Sequence, residues 1–345
     1  MRLILISIIT LVANINIYAQ GCCSGGAGSP IAGGAATGVL QENEMEISLN
    51  YQFNQSNQFY TGDVKSSPLF ENLNSDYLFF RTDYGVSKKL TLSVATGYYI
   101  KKSLIETHNV DTTSASGLSD LIILPRYGIY NKNANFKRTE IAIGIGIKIP
   151  LGVPNDSSIS IPKSSWAPGY PENDIYQMNP PTVQTTSGSN DFMFYSFFYR
   201  EYQKRKLRLF ISTLHINKSF NSLGIKFGDY TSVGFFASKT FFRKWGVTTQ
   251  IKAERIGEIQ AAENIDLLGF YSIDPISTGS KKWFFIPQLS YSQNGITIFA
   301  TSEIPLYQHL NGTQVGSKQQ FTFGINYRFL TKECEPEFEL EKQTL

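Results

Sequence analysis

The stretch Glu140 to Pro150, EIAIGIGIKIP, decides the fold. Ile141, Ile143, Ile145, Ile147 and Ile149 occupy every second position, while Glu140, Ala142, Gly144, Gly146 and Lys148 fill the alternate ones. A period of two is the period of a strand whose faces meet different surroundings. Here one face is wholly aliphatic and the other is small or charged. The same pattern occurs upstream, where Met45, Ile47, Leu49, Tyr51 and Phe53 alternate with Glu46, Ser48, Asn50 and Gln52. It returns near the end, where Phe321, Phe323, Ile325, Tyr327 and Phe329 alternate with Thr322, Gly324, Asn326 and Arg328. Further runs over 76–86, 90–101, 117–130, 191–202, 207–218, 230–241, 246–257, 283–292 and 296–307 bring the strands to about twelve.

The links between these runs alternate in length. About twenty residues follow the first strand, then Ser87-Lys88-Lys89, then about fifteen, then Asn131 to Lys137, then about forty. Short links follow strands six, eight and ten, and long ones strands seven, nine and eleven. A soluble sandwich has no reason to keep this alternation, whereas an outer-membrane barrel has short periplasmic turns and long extracellular loops. Asn294-Gly295 is a two-residue type I′ turn signal, and the apolar parity flips across it, from Phe285, Leu289 and Tyr291 to Ile296, Ile298 and Ala300. Ser87-Lys88-Lys89 reads as a three-residue turn that keeps parity between Leu78, Phe80 and Tyr84 and Leu90, Leu92 and Val94. Phe192 to Tyr202 is aromatic on both faces, so the facing of strands six to eight stays open. The expected fold is therefore all-β: a transmembrane antiparallel up-and-down barrel of about 12 strands.

Composition agrees. Only 17% of the 345 residues are charged, against roughly 25% in average soluble domains, while aromatics reach 14%. Mean hydropathy of -0.16 argues against helical membrane spans. A net charge of +3 without a Lys/Arg cluster excludes nucleic acid as a partner. The one long apolar run, Leu3 to Ile15 behind Arg2, is too short for a spanning helix and reads as a signal peptide ending at Ala19. A lipoprotein with Cys22 at its mature end is the alternative, with Ala19 a poor lipobox residue. The expected organisation is a signal peptide over 1–19 and a Gly/Ala-rich segment over 20–43, either periplasmic or inserted in the lumen. The barrel follows over 44–330, then an acidic periplasmic tail over 331–345. An even strand number puts both termini in the periplasm. Outer-membrane lipid, a small solute and, during biogenesis, the barrel-assembly machinery are the expected partners; no cofactor or metal is expected.

Residues Ser116 to Leu121 (SGLSDL), leading through Pro125-Arg126-Tyr127 into Ala142–Gly152 (AIGIGIKIPLG), resemble the outer-membrane barrel family named for the meta-cleavage pathway of phenol degradation. That family opens a strand with a Gly-Leu-Gly-Asp turn and follows it with a Gly-rich strand ending in Lys-hydrophobic-Pro-x-Gly. Here Ser119 replaces the second Gly. The resemblance is local to residues 116–152 and implies a passive channel for small molecules of hydrophobic or aromatic character.

Polar parity assigns the acids Glu46, Asp83, Asp120, Glu140, Glu254 and Glu303 and the bases Arg81, Lys101, Arg126, Lys148, Lys252 and Arg328 to the lumen. Six face six, which gives no strong anion or cation preference, and cross-strand bracing is the simplest role for any one of them. Tyr99, Ile122 and Leu124 would add apolar lumen wall. Lys148 and Asp120 are expected at the same height about a turn centred near Ala134. Half of the 14 Pro lie between Pro150 and Pro181 together with Trp166, Tyr170 and Tyr176, so this connection reads as a shaped loop folded over the barrel mouth. Of the three Cys, adjacent Cys22 and Cys23 are hard to bridge to each other, so one of them is expected to pair with Cys334. Among the three His, His108 and His309 fall in long loops. Thr213, His215 and Asn217 share a face of strand seven, an arrangement similar to the barrel-wall His, hydroxyl and Asn of a twelve-stranded outer-membrane phospholipase. That family has Ser where Asn217 stands, so a non-enzymatic barrel is expected. A surface adhesin without a pore is the other rival.

Overall fold

The computed structural model describes residues 38–68, 71–105, 112–161, 175–267 and 273–332. Twelve strands form the wall: β1 (Glu44–Ser56), β2 (Asn72–Ser87), β3 (Leu90–Ile105), β4 (Asp120–Ala134), β5 (Lys137–Pro150), β6 (Asp191–Tyr202), β7 (Leu207–Asn217), β8 (Tyr230–Phe241), β9 (Trp245–Ile256), β10 (Ser280–Gln293), β11 (Ile296–Val315) and β12 (Gln319–Leu330). Each pairs antiparallel with its sequence neighbours, and β1 pairs with β12 from Glu44↔Leu330 to Gln55↔Gln319. The twelve-stranded wall is therefore closed on itself.

The links β2–β3, β4–β5, β6–β7, β8–β9 and β10–β11 are short and lie at one end. β10 and β11 meet at Asn294-Gly295, whose φ values of 51° and 78° are the left-handed pair that a type I′ hairpin requires. Between β2 and β3 the turn holds two residues rather than three, because Ser87 pairs with Leu90. A bulge between Gly85 and Ser87 supplies the extra residue, so parity is kept by the bulge and not by the turn. β4 and β5 turn at Asn135-Phe136, with a second bulge between Gly128 and Tyr130. That centre lies beyond Ala134, so Asp120 stands opposite Pro150, and Lys148 opposite Ile122. The link after strand eleven, expected to be long, is a correction: it is short and lies at the opposite end. β11 runs past the wall to Val315 and there pairs with Phe59–Gly62, itself hairpinned to Val64–Ser66, so that only Gly316 to Lys318 join it to β12.

Faces alternate as the composition demands. Outward positions carry Leu49, Phe80, Val94, Ile143, Phe235, Ile298 and Phe323, all exposed, and Trp245 packs on Tyr291 near the short-turn end. This apolar belt is the lipid-facing surface of a transmembrane barrel. The aromatic run of β6 resolves into Met193, Tyr195 and Phe197 inside and Phe192, Phe194 and Phe198 outside. Ile145, in the middle of β5, is 60% exposed. An Ile145→Arg variant is expected to lose about 2–4 kcal/mol of folding stability, read as a lowered urea midpoint in lipid vesicles, while Ile145→Leu leaves the midpoint in place.

The inside is two-sided. From β2 to β8 a continuous apolar cluster includes Tyr77, Phe79, Tyr99, Ile122, Leu124, Tyr195, Phe197, Leu214 and Phe236. Across from it β1 and β12 present Ser48, Asn50, Gln52, Asn54, Thr322 and Asn326, all buried.

Candidate functional site

Between these unlike walls, in the long-loop half of the lumen, lies a cavity of about 600 Å³. Its apolar side is built from Tyr77, Tyr99, Ile122, Ile216, Tyr230 and Phe284; Asn54, Lys102, Glu254, Lys282 and Glu303 add polar and charged groups. The rings of Tyr77 and Tyr99 lie 4.5 Å apart. Asn54 Oδ1 and, deeper on the same strand, Gln52 Oε1 are buried without a hydrogen-bond partner among the described residues, which leaves them open to water.

The roof is made by the second half of the Pro-rich link. That link contains its own small hairpin, Ser157–Ile161 against Ile175–Met178, separate from the barrel wall. Beyond it the chain turns at Pro180, where Val183 N donates to Pro180 O (2.8 Å), and drops inward. Val183 is fully buried in an apolar nest of Phe59, Leu73, Ala115 and Val315. Gln184 Nε2 donates to Asn179 O (2.8 Å) and Asp156 O (2.9 Å), and Lys102 Nζ reaches Gln184 O at 2.7 Å. The segment is then latched by charge. Lys148 Nζ contacts Asp120 Oδ2 at 2.7 Å and Asp191 Oδ2 at 3.0 Å, and Lys218 Nζ contacts Asp191 at 3.0 Å. Thr186 donates to the other oxygen of Asp120, Lys148 reaches Ser187 Oγ at 3.2 Å, and Ser189 donates to Asp191 at 2.7 Å. Burial, reinforced by Lys148, pulls the Lys218 ammonium, just beyond β7, down to about 8 against the attraction of Asp191.

A second cluster sits on the opposite wall. Lys252 Nζ lies 2.7 Å from Glu303, 3.4 Å from Glu254 and 4.5 Å from the centre of the Phe284 ring. Tyr230 OH donates to Glu254 at 3.4 Å.

The floor lies at the short-turn end. Residues 38–41 enter the lumen, where Val39 N donates to Glu140 Oε1 (2.7 Å) and Leu40 N to Thr91 Oγ1 (2.8 Å). Gly85 permits this entry, since a Cβ there would stand 1.8 Å from Gln41 O. Around it runs a buried charge chain. Arg328 Nε contacts Glu46 Oε2 (2.8 Å), Arg81 Nη2 contacts Glu46 Oε1 (3.1 Å), and Asp83 takes Arg81 Nε (2.9 Å) on one oxygen and Arg126 Nη2 (3.0 Å) on the other. Arg138 holds Glu140 at 2.8 Å.

Of the charged positions assigned to the lumen by parity, Lys101 is a correction. The bulge at Ile100-Lys101, where Asp76 pairs with Lys101 but Tyr77 with Tyr99, turns Lys101 outward and Lys102 inward. Lys148 and Asp120 meet although their register is offset by two residues, because the long lysine spans the diagonal. Asp191, Lys218, Lys102 and Lys282 were not singled out by parity. Asp191 opens a strand of open facing, and Lys218 and Lys102 follow a strand end and a bulge. Tyr176 points to solvent at 62% exposure; Trp166 and Tyr170 lie outside the described residues, as do Cys22, Cys23, Cys334 and His108. His309 belongs to the extended β11 rather than to a loop. His215 lies on the outward side of β7, its Nδ1 2.8 Å from Thr231 Oγ1 and its ring beside Phe194.

No family model matches the chain, and no curated protein matches it. Among solved structures it resembles the COG4313 outer membrane channel from Pseudomonas putida F1, with a TM-score of 0.60 and 12% identity over 86% of this chain and 100% of that one. A FadL homologue from Pseudomonas aeruginosa aligns over 82% of this chain and 90% of its own at 9% identity and a TM-score of 0.42. The NanC porin aligns over 82% and 98% at 10% identity and 0.41. The first likeness establishes the fold, that of outer-membrane barrels.

Proposed function

We propose that this protein is an outer-membrane channel for the passive passage of small molecules with a hydrophobic or aromatic body. The observation that carries the reading is the cavity of about 600 Å³, walled by Tyr77, Tyr99, Tyr230 and Phe284 and set between a latched roof and an inserted floor. A structural barrel or an adhesin has no use for a solute-sized apolar chamber inside its wall, and pockets of this size and lining are those that take up small ligands. The local resemblance of residues 116–152 to meta-cleavage-pathway barrels points the same way. In this reading the short turns and both ends of the barrel face the periplasm, the long links face outward, and a solute meets the roof, the chamber and the floor in that order. The paired charges Lys148–Asp120 and Lys252–Glu303 brace the chamber and cancel each other, so these pairs themselves impose no strong charge selection. No group is asked to break or form a covalent bond.

Planar-bilayer recording of the purified chain is expected to show small, discrete conductance steps, and vesicles carrying it should admit a small aromatic alcohol faster than a sugar of equal mass. Absence of both in heat-modifiable, folded protein would remove the channel reading.

A further inference from the structure

Lys282 stands apart from the other charges of the chamber. It is 2% exposed, it lies two residues before Phe284 on the same inward face of β10, and it lines the cavity. Among the described residues its Nζ has one hydrogen bond, to Ser317 Oγ at 3.1 Å, and no carboxylate lies within ion-pair distance. Ser317 is itself pinned, its N–H donating to Gln308 Oε1 (2.6 Å) and its carbonyl accepting from Gln308 Nε2 (2.7 Å), so the ammonium is held in place by a neutral cradle.

The nearby acids are already engaged. Glu254, directly across the ladder from Lys282, turns to Lys252 and Tyr230. Glu303 is bound by Lys252, Asp120 by Lys148 and Thr186, and Asp274 caps the turn at Pro275 through Ile276 N and Ser277 Oγ. A buried ammonium served by one hydroxyl is costly, and an incoming anion that supplies the missing acceptor oxygens recovers that cost. Tyr77, Tyr99, Tyr230 and Phe284 line the same chamber, so an anion with a flat apolar body uses both the ammonium and the rings.

We propose that the chamber is a binding site for aromatic monocarboxylates, with the carboxylate on Lys282 Nζ and the ring against Phe284, Tyr77 and Tyr99. This names a solute class for the channel reading and rests on it for its transport meaning. A buried ammonium with no carboxylate of its own favours a single negative charge more than the balanced pairs around it do.

The test uses the full chain in detergent and four probes: 2-naphthoate, 2-naphthylmethanol, 2-naphthylmethylamine and acetate. Calorimetric titration is expected to give 2-naphthoate at least about tenfold tighter binding than the alcohol, with the amine and acetate weaker still. Lys282→Gln should erase the difference between naphthoate and alcohol, and Lys282→Arg should keep it. Equal affinity for acid and alcohol in the unaltered protein overturns the proposal without any variant; so does an undiminished preference in folded Lys282→Gln. Bilayer recording and vesicle uptake run in parallel keep the two readings apart. A naphthoate preference in a barrel that passes no current or solute keeps the site and removes the channel, whereas conductance with no naphthoate preference does the reverse.

Discussion

Replacing residues 155–186 by a short Gly-Ser linker is expected to raise single-channel conductance several-fold while the barrel stays folded. The linker removes the small hairpin, the Val183 anchor and the Gln184 and Thr186 hydrogen bonds, yet touches no wall ladder, since β5 ends at Pro150 and β6 begins at Asp191. Folding is thus preserved for the reason that surface loops are generally replaceable: no wall hydrogen bond is lost and loop-closure entropy changes little. In the proposed channel, conductance depends on more than the roof, because roof and floor stand in series. The floor segment held by Glu140 and Thr91 limits what roof removal alone can deliver. A variant that also lacks residues 38–41 should therefore gain more than the two single changes multiplied together. If the loop replacement changes neither conductance nor uptake, in the full chain and again in the shortened background, the segment is a surface feature and not a lid.

How much of this could be read from residues alone follows from which forces act locally. Lipid outside and water inside act on every residue of a wall strand, so EIAIGIGIKIP or the alternation from Met45 to Phe53 announces both the strand and its facing. Closure followed from the even count and the alternating links. Bulges have no such signature. Each adds one residue whose only trace is a parity slip, which is why parity places Lys101 on the wrong face; the two-residue offset of Asp120 and Lys148 comes instead from a turn centred at Asn135-Phe136 rather than Ala134. The site was harder still, because it is assembled between distant segments. Val183 means nothing in PPTVQ until Phe59, Leu73, Ala115 and Val315 surround it, and Lys282 is one lysine of a KKW run until its neighbours prove to be Ser317 and Phe284. The extension of β11 illustrates a third kind of miss, since Thr313 to Val315 become strand only because Phe59 to Thr61 arrive beside them.

The floor offers the largest effect on stability. Asp83 is fully buried, and its two oxygens are shared between Arg81 and Arg126, guanidiniums that are each 2% exposed. Removing a buried pair outright can be nearly neutral, but removing one partner leaves the others charged and desolvated, a loss of about 3–5 kcal/mol. Asp83 serves two cations at once, so Asp83→Ala is expected at the upper end of that range, seen as a lower urea midpoint in micelles and weaker heat-modifiable migration. Arg81 keeps Glu46, which it shares with Arg328, so the chain does not dissolve entirely. Glu44→Gln is the matched control. It also removes a carboxylate from the same end of the barrel, but its contact with Arg328 is 3.9 Å long and Arg328 is 39% exposed, so water replaces it at a cost of about 0–1 kcal/mol. Near-equal midpoints for the two variants would mean that water reaches Asp83 freely from the floor, and the charge chain would then be a solvated lining rather than a brace. A clear separation ties the floor's rigidity to the same end of the barrel as Glu140, where residues 38–41 enter, and makes those charges the fixed frame on which the inserted segment is held.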